Sequence, residues 1–167
     1  GVRLRGQFGT INLDKLTSVT SSFALHQRWG TTSGPATYGS LGIVRQMGWG
    51  SMNLNYDYAA DDSLASTLAG GKHRLSMEGN YEVGRMSVNL FASKSLDADW
   101  SSYYGDLSYQ LSGLYRVSAA YTLDKYLADT SLDYNFMLSY RLGVRELGLT
   151  WSRKTRRVGL EILGARF

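Results

Sequence analysis

Ser131-Leu132-Asp133-Tyr134-Asn135-Phe136-Met137-Leu138-Ser139-Tyr140-Arg141-Leu142 alternates without a break. Leu132, Tyr134, Phe136, Leu138, Tyr140 and Leu142 share one parity, and Asp133, Asn135, Met137, Ser139 and Arg141 share the other. Successive side chains of a strand point to opposite faces, so this period of two reads as a β-strand with one apolar and one polar face. The same alternation runs through Tyr115-Val117-Ala119-Tyr121-Leu123, Met52-Leu54-Tyr56-Tyr58, Leu75-Met77-Gly79-Tyr81, Met86-Val88-Leu90-Ala92, Tyr103-Leu107-Tyr109-Leu111 and Leu147-Leu149-Trp151. About eleven strands follow: 2–12, 18–29, 39–48, 51–58, 73–82, 86–95, 102–111, 114–123, 131–142, 145–153 and 157–167.

The connections between these strands alternate in length. Tight turns are expected near Asp14-Lys15, Gly48 to Gly50, Val83-Gly84, Ser112-Gly113 and Gly143. Longer polar loops are expected at 30–38, 59–72, 96–101 and 124–130. Leu107-Ser-Tyr-Gln-Leu and Leu138-Ser-Tyr-Arg-Leu each lead into a turn and another strand, so hairpin units repeat along an antiparallel up-and-down meander.

The chain has 167 residues, the length of one domain, taken as 1–167. Polar residues interrupt it every few positions, so no run approaches the roughly 20 apolar residues of a transmembrane helix. A membrane-crossing strand needs only every second residue apolar, and hydropathy does not detect it. The sequence contains no Cys, which excludes a disulfide framework and a thiolate metal site. Its net charge is +4 with the basic residues scattered, so no nucleic-acid partner is expected. No cofactor and no metal are expected either.

Alternation alone does not say whether the apolar face meets a core or lipid. Two features favour lipid. The five Lys, at 15, 72, 94, 125 and 154, fall in turns or at strand ends, whereas the polar face carries Ser, Asn, Gly, Asp and Arg. The aromatic residues fall into two sets. Trp29, Tyr56, Tyr58, Tyr103, Tyr121, Tyr134 and Trp151 lie toward the long-loop ends of their strands, and Tyr81, Tyr109, Tyr115 and Tyr140 toward the tight-turn ends. Two aromatic girdles suit the two interfaces of a bilayer. Ten residue steps from Leu132 to Leu142 span roughly 33 Å along the strand, or about 25 Å along the membrane normal at the usual tilt.

The C-terminal stretch Gly159-Leu160-Glu161-Ile162-Leu163-Gly164-Ala165-Arg166-Phe167 is a last strand that closes on Phe. It resembles the terminal signal of Gram-negative outer-membrane β-barrels, and the pattern of the whole chain is similar to that superfamily. The resemblance implies an outer-membrane location, contact with outer-membrane lipid and lipopolysaccharide, and recognition of Phe167 by the barrel-assembly machinery. Alternation counted back from Phe167 puts Glu161 on the lipid side, while the opposite set, Val158-Leu160-Ile162, is the more apolar. Single-chain bacterial barrels have even strand numbers. An eleven-strand count therefore means either that one strand is missed, for about 10–12 in this chain, or, as preferred, that a further strand precedes it and the chain is the C-terminal part of a larger barrel.

The titratable residues carry little catalytic signal. His26 lies on the polar parity with Ser22 and Arg28, and is read as a lumen His bonded to its neighbours; a lipid- or peptide-hydrolysing enzyme using His26 is the alternative. His73 opens a strand beside Lys72 and Arg74. Asp61-Asp62 has the paired acids that omptin-type proteases use, without their expected partners. Gly70-Gly71-Lys72 lacks the spacing and following helix of a phosphate loop. Arg153, Lys154, Arg156 and Arg157 crowd one outer turn, as either a lipopolysaccharide contact or a solvated charged turn.

The lumen-facing set is Arg28, Asn53, Asn55, Asp57, Arg74, Glu78, Asp106, Arg116, Asp133, Asn135, Arg141 and Glu146, joined on the same parity by Arg3, Arg5, Asn80, Asn89 and Gln110. Inward charges of both signs either cross-link a narrow lumen or line an aqueous path. The expected function is a porin-like channel or export conduit. A plugged barrel that binds lipopolysaccharide or other envelope proteins is the alternative.

Overall fold

The computed structural model of the chain describes residues 2–27, 36–60 and 71–164. They form eleven strands: β1 (Val2–Asn12), β2 (Thr17–Gln27), β3 (Ala36–Met47), β4 (Gly50–Ala59), β5 (His73–Val83), β6 (Met86–Ser95), β7 (Trp100–Gln110), β8 (Tyr115–Tyr126), β9 (Asp129–Leu142), β10 (Arg145–Ser152) and β11 (Arg157–Gly164). Each pairs antiparallel with its chain neighbours, in the order β1 to β11. Among the described residues there is no helix.

A closed barrel, expected from the sequence, is not formed: the sheet ends at β1 on one side and β11 on the other. The odd strand number supplies a reason. β1 and β11 both run toward the end that carries the tight turns 13–16, 48–49, 84–85, 111–114 and 143–144. They point the same way, so the antiparallel pairing used everywhere else is not open to them.

Local chemistry explains the turns. Gly84 and Gly143 occupy the first central position of two-residue hairpins with φ of 60° and 61°, where only the following Arg85 or Val144 keeps an ordinary φ. That is the glycine position of a type II′ turn, whose twist matches the flanking strands. Asp14 folds the β1–β2 turn by accepting the amides of Leu16 and Thr17, both at 2.7 Å. These hydrogen bonds, led by that of Leu16, hold its carboxyl below the usual carboxylate range.

One expected loop is absent. The stretch 124–130 is strand almost throughout, because Tyr126 opposes Asp129 across a two-residue turn of Leu127 and Ala128. Leu127 adopts φ of 52°, a conformation that glycine tolerates and leucine does not favour. The connection expected at 96–101 also shortens, to 96–99. Within β1 the register with β2 slips between Phe8 and Ile11. Three steps on β1 match two on β2, a bulge at Gly9-Thr10 that keeps Ile11 on the face of Phe8.

Burial is inverted relative to a water-soluble fold. Among the described residues Ala59 is the one buried apolar side chain, while Asp57, Ser76, Ser93, Ser95, Ser101 and Ser139 are buried. Val158, Leu160 and Ile162 are 66%, 68% and 69% exposed, and Phe8, Leu54, Leu90, Phe136 and Leu149 are exposed as well.

Candidate functional site

The pairing register joins the alternating strands into two continuous faces. One row of the polar face runs Asn53, Glu78, Phe91, Tyr104, Thr122, Asp133; the next runs Ser51, Asn80, Asn89, Asp106, Ala120, Asn135. Asn55, Asp57, Arg74, Arg116, Arg141 and Glu146 fall on the same face. Among the described residues, all nine carboxylates that lie in strands are here: Asp57, Glu78, Glu82, Asp106, Asp124, Asp129, Asp133, Glu146 and Glu161. Glu161 opposes Gly148, which opposes Ser139. Its place is therefore polar, and the parity counted back from Phe167 is corrected. Val158, Leu160 and Ile162 form the apolar side of β11.

Polar contacts knit this face laterally. Arg74 donates from Nε at 3.3 Å and from its terminal nitrogen at 2.9 Å to one oxygen of buried Asp57, and the Tyr38 hydroxyl donates to the other at 2.9 Å. Asp57 is thereby compensated for its loss of water. Asn89 donates to Asp106 at 2.7 Å, Ser102 to Asp124 at 2.5 Å, and Ser22 and Ser40 share a hydrogen bond at 2.6 Å. Arg116 of β8 reaches over β9 to pair with Glu146 of β10.

The polar face is concave. Asn80, Glu82, Asn89, Asp106, Arg116 and Glu161, drawn from β5 to β11, surround one cavity of about 980 Å³ together with the β3–β4 turn. A second cavity of about 630 Å³ is bounded by Tyr104, Asp106, Asn135, Thr150, Arg157 and Glu161. Each polar contact named above joins strands that are adjacent or next but one. Among the described residues, the charged side chains facing the larger cavity are Glu82, Asp106, Glu161 and Arg116, and Arg116 is taken up by Glu146.

The other face carries the aromatic set. Tyr56, Tyr58, Tyr81, Tyr103, Tyr109, Tyr115, Tyr121, Tyr134, Tyr140 and Trp151 all have the apolar parity. Several stand as cross-strand ring pairs: Tyr121–Tyr134 at 5.3 Å, Tyr115–Tyr140 at 5.0 Å and Phe136–Trp151 at 5.8 Å between centroids. His73 joins this face, hydrogen-bonded through Nδ1 to the Tyr56 hydroxyl at 2.6 Å and lying 4.9 Å from the Tyr58 ring. No described strand residue of this face is acidic. Its charged residues, Arg45, Lys94, Lys125 and Arg145, lie near strand ends.

At the end opposite the tight turns, Asp97 organises the β6–β7 connection. It accepts the amides of Lys72 at 2.8 Å and His73 at 3.1 Å, and the Ser95 hydroxyl at 3.0 Å. The hydrogen bond from His73, then that from Lys72, holds its carboxyl below the usual range. Gly71 packs so closely on Ser95 and Asp97 that a Cβ there would overlap both.

Of the basic turn, Arg153 stacks over the Tyr134 ring at 5.4 Å. Arg157, grouped with it on sequence and expected there to open the last strand, is the first residue of β11, opposite Ser152, and lines the smaller cavity. A strand boundary separates them. His26 holds a register position opposite Arg3 and Ala36. Its side chain, and Arg28, Trp29, Asp61, Asp62, Gly70 and Phe167, lie outside the described residues. Among the described residues no three His, Asp or Glu are grouped to hold a metal ion.

Tyr38, Glu82 and Asp124 were absent from the lumen-facing set expected on sequence, although Glu82 and Asp124 share parity with Glu78 and Arg116 and were legible on that ground. Tyr38 had no such signal, because its partner Asp57 is nineteen residues away.

Compared with family profiles, curated proteins and solved structures, the chain matches none.

Proposed function

We propose that this chain is a membrane-spanning sheet of a Gram-negative outer-membrane barrel, and that its concave polar face lines a conduit for small polar solutes. The observation that carries the membrane reading is the partition of charge: nine strand carboxylates on one face and none among the described strand residues of the other. A carboxylate in hydrocarbon is expensive, whereas an exposed face of Leu, Val, Ile and Phe is stable only in a non-aqueous solvent. The solvent-accessible surface, 11676 Å², also exceeds the roughly 8,200 Å² expected of a water-soluble monomer of this mass. Lipid on the apolar face accounts for part of that excess, and closure of the sheet for the rest.

The conduit reading is favoured over a plugged barrel by strand number, since the eleven described strands exceed the eight whose inward side chains fill a barrel's interior. Arg74 with Asp57, Asn89 with Asp106, and Arg116 with Glu146 link neighbours along the wall. The bacterial outer-membrane location, the lipopolysaccharide contact and recognition by the barrel-assembly machinery belong to the same proposal, as the surroundings such a sheet requires.

Planar-bilayer recording tests it. The folded protein is expected to produce discrete conductance steps; a correctly inserted protein that stays silent removes the conduit and leaves the plugged barrel. A chain that remains monodisperse in detergent-free buffer removes the membrane reading itself.

A further inference from the structure

Lys94 and Lys125 end the apolar sides of β6 and β8, and the register brings them into one row: Lys94 opposes Ser101, and Ser101 opposes Lys125. Two strand spacings put their Cα atoms roughly 10 Å apart. Between them stands a small, buried serine. Both lysines are exposed, and neither is in an ion pair among the described residues. The nearby acids are directed elsewhere: Asp97 is occupied by the amides of Lys72 and His73, and Asp124 and Asp129 belong to the opposite face. Asp99, in the β6–β7 turn, is the remaining neighbour.

One residue pair further in, the same face becomes fully apolar, in the row Ala92, Tyr103, Leu123, Leu132. The surface thus presents two flexible ammonium groups directly above a tyrosine-edged apolar wall. Lysine stems can converge from roughly 10 Å on one doubly coordinated anion, and a ligand that satisfies both rows carries an anionic group, of which phosphate offers several acceptor oxygens, joined to a hydrocarbon chain.

We infer that Lys94 and Lys125 form a binding site for the phosphate of an anionic lipid headgroup, with the lipid's acyl chains against the Tyr103–Leu123–Leu132 row. This rests on the membrane reading of the apolar face and is independent of whether the lumen conducts. It is also separate from the basic turn at 153–156.

The test uses the full chain folded in a neutral detergent, with thermal unfolding and native mass spectrometry as readouts. The probes are short-chain phosphatidic acid, the matching phosphatidylcholine, and inorganic phosphate. Phosphatidic acid is expected to bind and stabilise the protein, with phosphatidylcholine weaker. Each of Lys94→Gln and Lys125→Gln should weaken phosphatidic acid binding about fivefold, and the double variant about twenty-five-fold. Both positions are exposed, so the variants should keep the parent's strand signal in circular dichroism. Binding within twofold of the parent in the double variant overturns the site. Equal stabilisation by inorganic phosphate overturns the lipid assignment, and equal binding of phosphatidylcholine overturns the role of the phosphate. A parent chain that folds without detergent fails the membrane reading, a result distinct from all three.

Discussion

Leu138 and Met137 are consecutive residues in the middle of β9, and exchanging each for arginine separates a lipid-facing from a water-facing position. Leu138 lies opposite Val117 and Leu149 on the apolar face and is exposed. Met137 lies opposite Ser118 and Thr150 and lines both cavities. An arginine on the lipid side near the bilayer midplane costs about 2–4 kcal/mol, whereas a solvent-exposed substitution on a water-soluble sheet stays within about 0.5 kcal/mol. Leu138→Arg should therefore destabilise the inserted protein by about 3 kcal/mol. Met137→Arg gains the company of Asp106 and Glu161 and should change stability by less than about 1 kcal/mol. At an m value of about 2 kcal/mol/M, the first variant's urea midpoint falls by about 1.5 M and the second's by less than about 0.5 M. Reversible urea unfolding in lipid vesicles, followed by tryptophan fluorescence, gives both numbers. Equal costs at the two positions, or a Leu138→Arg cost below about 1 kcal/mol, would refute the assignment of faces.

Three further outcomes are expected. Replacing Leu127 by Gly should stabilise the β8–β9 hairpin by about 1 kcal/mol, since its φ of 52° burdens a leucine, and an unchanged urea midpoint would contradict this. The hydrogen bonds to Asp97 lower its carboxyl pKa, so their contribution is complete above the ordinary value of 3.8 and is lost as pH falls through the lower folded value. Amide exchange at Lys72 and His73 should accelerate over that acid range, and the acceleration should vanish in Asp97→Asn. In bilayers the conductance should favour cations, because Glu82, Asp106 and Glu161 face the larger cavity while Arg116 is paired; the combined Glu82→Gln, Asp106→Asn, Glu161→Gln variant should lose that preference several-fold in reversal-potential measurements.

Much of the wall was legible before any coordinates, because alternation is a property of single strands and needs no partner. Leu132 to Leu142, Tyr115 to Leu123 and Met52 to Tyr58 display their two faces in isolation, and the eleven strands follow from them. What escaped depends on pairing. Alternation would put Phe8 and Ile11 on opposite faces, and only the slip against β2 brings them together. The polar run at 124–130 has loop-like composition, yet Tyr126 meeting Asp129 closes it to two residues. Lys94 and Lys125 are thirty-one positions apart, and nothing local announces that one serine separates them in the sheet.

The shared direction of β1 and β11 has a mechanical consequence. The ten ladders among the described strands each join chain neighbours, and each can re-form locally if it opens. A join between the first and last strands would have neither advantage: its hydrogen bonds would be slanted and less stable per residue, and no turn would tether its two sides. Under load the wall should unzip there first.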